Sequence, residues 1–243
     1  MSRFRFGGQA AGLEGMEFLA GHGFDFADLN LNELEKIREQ EREIIAAARE
    51  ADMFFVAHAP DKRVDDDEGM AEITAAVEAA APFRPRTITI HPILVSPSNT
   101  PEKMEKKRER VGRLVELAAG FGSLIALENT AEAAPDMEEM LRLHPRVMLT
   151  VDIGHSELLS EENKSLGFIR AFPDRIGHVH IHDNVGGNTY HEDLHLPLGE
   201  GRIDFAPIMA ALAGLPGEVT MTFEMPRQKA YESLLWLRER KLV

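Results

Sequence analysis

Cysteine is absent from the 243 residues. That excludes a disulfide framework, a thiolate nucleophile and any cysteine-held zinc or iron–sulfur centre. Long apolar runs are missing as well. The N-terminal stretch MSRFRFGGQAAG carries two arginines but no hydrophobic core and no cleavage pattern. Neither a signal peptide nor a membrane span is expected, so a cytoplasmic protein is the default expectation. Basic charge is scarce: 27 Lys and Arg against 41 Asp and Glu give a net charge of −14. Such a surface repels polyanions unless bound metal or a local patch reverses the field, which disfavours nucleic acid as a partner. The densest basic run, residues 103–110, is punctuated by glutamates at helical spacing and reads as a solvated helix face. No linker, low-complexity tract or change of composition divides the chain, which reads as one domain over residues 1–243.

What the chain does have is alternation. Short apolar strands are expected at residues 4–6, 24–29, 54–58, 87–91, 124–128, 147–152, 176–182 and 219–224. Between and after them lie helical stretches at about 13–20, 33–51, 68–80, 101–119, 137–143, 161–172, a stretch capped by Asp204, and 229–242. Eight strands alternating with eight helices predict a single (β/α)8 barrel. The period of two agrees with this reading. Thr87, Thr89 and His91 share one face, as do Thr220, Thr222 and Glu224, while Ile88, Ile90, Met221 and Phe223 take the other. An open doubly wound sheet would want G-x-G-x-x-G after the first strand, and only Gly7-Gly8 stands there.

The richest stretch is 176–204, IGHVHIHDNVGGNTYHEDLHLPLGEGRID. His178, His180 and His182 fall on one face of a strand, and Asp183, Glu192, Asp193, His195 and a Leu198–Gly201 turn follow. A polar strand end with a solvated acidic loop is the plain alternative. The other strand ends weigh against it. Barrel enzymes build their sites at the C-terminal ends of strands, and there stand His58, His91, Glu128, Asp152 with His155, His180 and Glu224. Eight of the ten histidines fall at such ends or in the loops after them; His22 and His144 lie at the opposite side. Carboxylates converging in a low-dielectric mouth repel one another unless a cation joins them. Imidazole and carboxylate donors suit zinc, manganese, cobalt or iron.

The motifs ENT, VDIGH, HIHD, and D-x-H followed by LGEG resemble the xylose isomerase-like barrel superfamily. It includes endonuclease IV (AP endonuclease family 2), the sugar isomerases and the ketose 3-epimerases. The resemblance spans essentially the whole chain. For the endonuclease branch it implies a three-zinc cluster, with ligands at His58, His91, Glu128, Asp152, His155, His180, Asp193, His195 and Glu224. For the isomerase and epimerase branch it implies one divalent metal on Glu128, Asp152, His180 and Glu224, with His155 near the substrate.

The acidic surface, the short connection at Asn30-Leu31-Asn32 and the modest length all weigh against DNA. The expectation is therefore a metal-dependent isomerase or epimerase acting on a small sugar, polyol or sugar phosphate, holding one to three ions of zinc, manganese or cobalt. Glu128 and Glu224 would shuttle a proton through an enediolate, with His155 as the third catalytic group. Lys62, Arg63 and Arg227 are candidate substrate anchors by position alone. The alternatives are a zinc phosphodiesterase of the endonuclease IV type, in which Glu128 bridges metals and orients water, and a non-catalytic metal- or sugar-binding barrel. The roles of His178, His182 and His191 stay open, as does any part for Tyr190 and His191 in closing over substrate.

Overall fold

Eight parallel strands close into a barrel in sequence order in the computed structural model, which describes residues 3–243 except the side chain of Tyr190. Met1, Ser2 and the Tyr190 side chain, all touched on above, lie outside the described residues. The strands are β1 (Phe4–Ala10), β2 (Phe26–Asn30), β3 (Phe54–His58), β4 (Thr87–Ile90), β5 (Leu124–Glu128), β6 (Met148–Asp152), β7 (Ile176–Ile181) and β8 (Val219–Phe223). Closure is made by β8 against β1, with Phe4 beside Val219 and Gly8 beside Phe223. Around the outside run α1 (Leu13–Gly21), α2 (Leu34–Glu39), α3 (Glu41–Glu50), α4 (Asp67–Ala79) and α5 (Pro101–Ala119). The ring is completed by α6 (Ala134–Leu143), α7 (Ser165–Ala171), α8 (Phe205–Ala213) and α9 (Arg227–Glu239). None of the helices among the described residues is long and apolar enough to cross a membrane.

Local chemistry accounts for most element ends. Thr100 caps α5 by accepting the Lys103 N–H, with Pro101 in the first turn. Asp204 caps α8 through the Ala206 N–H. Several boundaries depart from the sequence expectation, and three of them have a clear local cause. β1 continues past residue 6 because Gly7–Ala10 pair with Phe26–Leu29. The helix expected at 33–51 is broken at Gln40, whose side chain accepts the Leu13 N–H of a neighbouring helix at 2.9 Å. The helix expected from 161 starts at Ser165, because Asn163 accepts the Ser165 N–H and donates to the Ile153 carbonyl.

The barrel interior is layered. At the N-terminal end Phe26 stacks on Phe54 with ring centres 5.0 Å apart and meets His178 edge-on. Above this plug Thr89 and Thr150 share a hydrogen bond of 2.8 Å, and His178 is held by Thr220 and Thr222. His178 is therefore part of the floor. Burial pushes its basicity well down, so it stays neutral. The functional side chains stand on this floor at the C-terminal rim.

Gly7 matters to the plug. A Cβ at that position would lie 2.3 Å from the Phe26 ring, which Phe54 and His178 prevent from moving aside. Gly7→Ala is expected to destabilise the fold by about 1–3 kcal/mol through overpacking, read as a lower urea midpoint with an unchanged slope. An unaltered midpoint would show that the plug is looser than described.

Candidate metal centre at the barrel mouth

The first group of donors comes from strand ends. Glu128 ends β5, Asp152 ends β6, His180 is the fifth residue of β7, and Glu224 follows β8. One ligand atom from each lies within 4.8 Å of every other. His180 Nδ1 stands 3.0 Å from Glu128 Oε1 and 3.2 Å from Glu224 Oε1. All four side chains are buried. Asp152 Oδ2 and His180 Nε2 have no hydrogen-bond partner, and neither has His58 Nε2. Orphaned buried carboxylate and imidazole atoms aimed into one space are costly unless a cation joins them. The donor set fits a divalent ion.

A second cluster adjoins it. His91 donates from one side to Asp61, at 2.8 Å, and faces Glu128 Oε2 at 2.9 Å from the other. His58 lies 3.4 Å from Glu128 and 3.3 Å from Glu224. A third gathers around Asp193. The D-x-x-H spacing of VDIGH is a tight turn in which the His155 N–H donates to Asp152 Oδ1 at 2.6 Å. The His155 ring then donates from Nδ1 to the Asn129 carbonyl, and His195 Nδ1 does the same to the Glu224 carbonyl. Both rings are thereby fixed in the tautomer that turns Nε2 toward Asp193 Oδ2, at 3.0 Å each. Asn129 also brackets β6, accepting the Asp152 N–H and donating to its carbonyl.

Asp183 holds the loop that carries Asp193 and His195. Its buried carboxylate accepts four backbone N–H groups, from Asn184, Gly199, Gly201 and Ile203. Gly199 is left-handed at φ +88°, and a Cβ on Gly201 would sit 2.2 Å from the Asp183 carboxylate. The LGEG turn is thus a cradle for Asp183, and its role is to place the loop.

All nine expected ligand residues stand at this rim. The three candidate anchors fare differently. Arg227 lines a 480 Å³ cavity with Gln9, His195 and Glu224, where it pairs with Glu14. Lys62 and Arg63 do not line the mouth. Lys62 pairs with Glu72 in a separate cleft between α2 and α4, and Arg63 turns back to the buried Asp65. Each has a carboxylate nearer than the mouth, so position in the chain alone was a poor guide. His191 is exposed.

Some residues went unnoticed in the sequence. Asp28, on β2, is buried with both oxygens unpartnered and lies 3.7 Å from His180 Nε2. Its alternation with Phe26 and Asn30 marked it as inward. Asp61, next to Pro60, and Gln9, which donates to Glu224 at 3.2 Å, carried no motif.

A family sequence model described as "Xylose isomerase-like TIM barrel" matches residues 9–240. The chain belongs to that family. The uncharacterised protein MJ1311 of Methanocaldococcus jannaschii is 25% identical over 222 residues, covering 81% of this chain and 73% of its own. Among solved structures, a D-tagatose 3-epimerase-like protein superposes with a TM-score of 0.77 at 22% identity, over 97% of this chain and 96% of its own. The 3-keto-D-glucoside 4-epimerase YcjR of E. coli gives 0.74 at 21%, over 98% and 100%. At such identities the likeness is one of fold.

The electrostatics give a pH test of this family member. Without metal, burial works against charge on His91, His180 and His195. Glu128 overrides it for the first two, pushing them up to about 10, and Asp193 overrides it for the third, pushing it up to about 9. Burial likewise opposes charge on Glu128, yet the charges of His180, His91 and His58 hold that carboxyl well below its usual range. A histidine raised above its unfolded value of about 6.5 stabilises the fold fully below that pH and loses the contribution as pH rises through its folded value. The chelated protein should therefore melt at falling temperature between about pH 6.5 and 10. Zinc should offset the loss, because neutral imidazole is the ligand form. A flat or rising profile for the chelated protein would contradict the assignment.

Proposed function

We propose that this protein is a divalent-metal-dependent isomerase or epimerase of small sugars, polyols or sugar phosphates, moving a proton on the carbon next to a carbonyl. The observation that carries the reading is the approach of two buried glutamates, from β5 and β8, to within 3.0 and 3.2 Å of the same His180 nitrogen. Those strands lie three places apart round an eight-strand barrel, so the two carboxylates reach the centre from separate sectors. Solved relatives of the same fold named as a D-tagatose 3-epimerase-like protein and a 3-keto-D-glucoside 4-epimerase support the substrate class.

Glu128, Asp152, His180 and Glu224 would hold the ion, which when bound would polarise the substrate carbonyl and the neighbouring hydroxyl. The chain's own residues do the rest. One glutamate takes the proton from the carbon beside the carbonyl, leaving an enediolate. The other, once it has taken up a proton from water, delivers it to the opposite face for an epimer, or to the former carbonyl carbon for an isomer. Glu128 and Glu224 are both held below the usual carboxylate range, so each is ionised and able to accept at neutral pH. His155, fixed by Asn129, borders a 580 Å³ cavity together with Glu224 and positions the substrate. Gln9, Asn30 and Thr130 line it too and offer hydrogen bonds to hydroxyls. Arg227, on the adjoining wall, is a candidate for an anionic substituent.

A second reading, phosphodiester hydrolysis, draws on the His58–His91–Asp61 group, which a one-metal proton shuttle leaves idle. The net charge of −14 and the immediate turn from Asn30 into a short 3-10 segment, Leu31–Glu33, favour the small-molecule reading over it. Cleavage of an abasic-site duplex at catalytic rates by the metal-loaded protein would reverse that preference.

The direct test incubates metal-loaded protein with a panel of ketoses and ketose phosphates in D2O. Deuterium should enter at the carbon beside the carbonyl. Glu128→Gln and Glu224→Gln should each lower kcat by about 10²–10⁴-fold. No exchange with any sugar by fully loaded protein would sink the proposal.

A further inference from the structure

Asp28 is a carboxylate whose setting the proton shuttle does not explain. The inward column of β2 runs from Phe26 in the plug, through Asp28, to Asn30 at the mouth. Asp28 is 1% exposed, and neither of its oxygens makes a hydrogen bond. Other polar side chains beneath the mouth are paired. Thr89 bonds Thr150, and Thr220 and Thr222 take the two nitrogens of His178. A carboxylate left unpaired inside a barrel is costly, and a threonine or valine would suit the strand better.

What Asp28 does face is the back of His180. Its Oδ2 lies 3.7 Å from His180 Nε2 and 3.9 Å from His178 Nε2. His178 is already served by its threonines, whereas His180 Nε2 is buried and has no partner. The other edge of the His180 ring turns to the centre, with Nδ1 3.0, 3.2 and 3.9 Å from oxygens of Glu128, Glu224 and Asp152. An ion held among those carboxylates takes His180 through Nδ1, which leaves the one ring proton on Nε2, on the side of Asp28. We propose that Asp28 is a positioning residue of the metal centre, accepting the His180 Nε2–H and so fixing the tautomer and direction of that ring.

A carboxylate that takes the second N–H of a ligating imidazole makes the ligating nitrogen more basic, and losing it weakens metal binding about 10–100-fold. The present 3.7 Å exceeds a hydrogen bond, so the pair must close by about 0.5–1 Å on metal binding. Asp28 sits mid-strand, beside Gln9 of β1 and Val56 of β3. Closure therefore falls to the side-chain torsions of Asp28 and His180, not to the backbone. Asp28 lines neither cavity at the mouth, so it acts on substrate only through the ion. The inference rests on the Glu128–Asp152–His180–Glu224 centre holding an ion. It does not depend on which sugar the protein turns over, or on whether it turns one over.

The test loads the whole protein, labelled with nitrogen-15 at histidine, with Zn²⁺. The His180 Nε2 proton should be visible by NMR, shifted downfield and in slow exchange with water, as for a buried N–H donating to a carboxylate. Asp28→Leu, which removes the acceptor, should shift that resonance upfield and bind Zn²⁺ about tenfold or more weakly in chelator competition. Asp28→Asn keeps one acceptor oxygen and should fall between the two. Should Asp28→Leu fail to fold, a crystal structure of Zn²⁺-loaded wild type decides, with His180 Nε2 expected within about 3.2 Å of an Asp28 oxygen. Unchanged affinity and an unchanged resonance in Asp28→Leu overturn the proposal, as does an ion bound through His180 Nε2 or ligated by Asp28 itself. Wild type that takes up no Zn²⁺ overturns it together with the metal centre. A protein that behaves as expected here yet exchanges no sugar proton sinks only the isomerase reading.

Discussion

The mouth of this barrel is governed by repulsion among carboxylates that the strand ends force together. Asp28, Glu128, Asp152, Asp193 and Glu224 crowd one end of the barrel, and the first three are wholly or almost wholly buried. Charges so placed cannot be left to one another in a medium of low dielectric. In the metal-free protein the balance comes from protonated His91, His180 and His195, each raised by the carboxylate it faces. Divalent ions can take the place of those protons. Metal binding and proton release then become one process, and the affinity of the centre depends steeply on pH.

The scaffold serves that balance in ways the ligand residues alone do not reveal. Asn129 and the carbonyl of Glu224 set ring tautomers, Asp183 gathers a loop by four N–H groups, and Gly154 and Gly201 leave space for side chains that must not move. The proposed proton shuttle rests on Glu128 and Glu224, and their separation rests on the Phe26 plug and the threonine and His178 floor beneath them. This is why conserving the ligands in an altered barrel would not conserve the chemistry.

Much of this was legible in the chain. Alternation of strands and helices, and the histidine or carboxylate at successive strand ends, is a pattern of period and position, and both survive folding. Residues such as Glu128 and His180 could be placed because a strand end determines where a side chain points. The failures have the opposite character. Lys62 and Arg63 are long, flexible and surrounded by carboxylates, so sequence position says little about which partner each takes. The break at Gln40 comes from a side chain bonding to a neighbouring helix, with no glycine or proline to announce it. Asp28 was readable from its period but stood alone in an apolar strand without a motif. The unpartnered state of His182 exists only in three dimensions.

The central claim is that this rim is a metal centre. The most direct measurement is the metal content per chain of protein purified without chelator, by native mass and elemental analysis together. At least one divalent ion per chain is expected, removable by chelator and restored stoichiometrically at neutral pH. A chain that binds no ion even after reconstitution would contradict the account, because the buried carboxylates would then be balanced by protons alone.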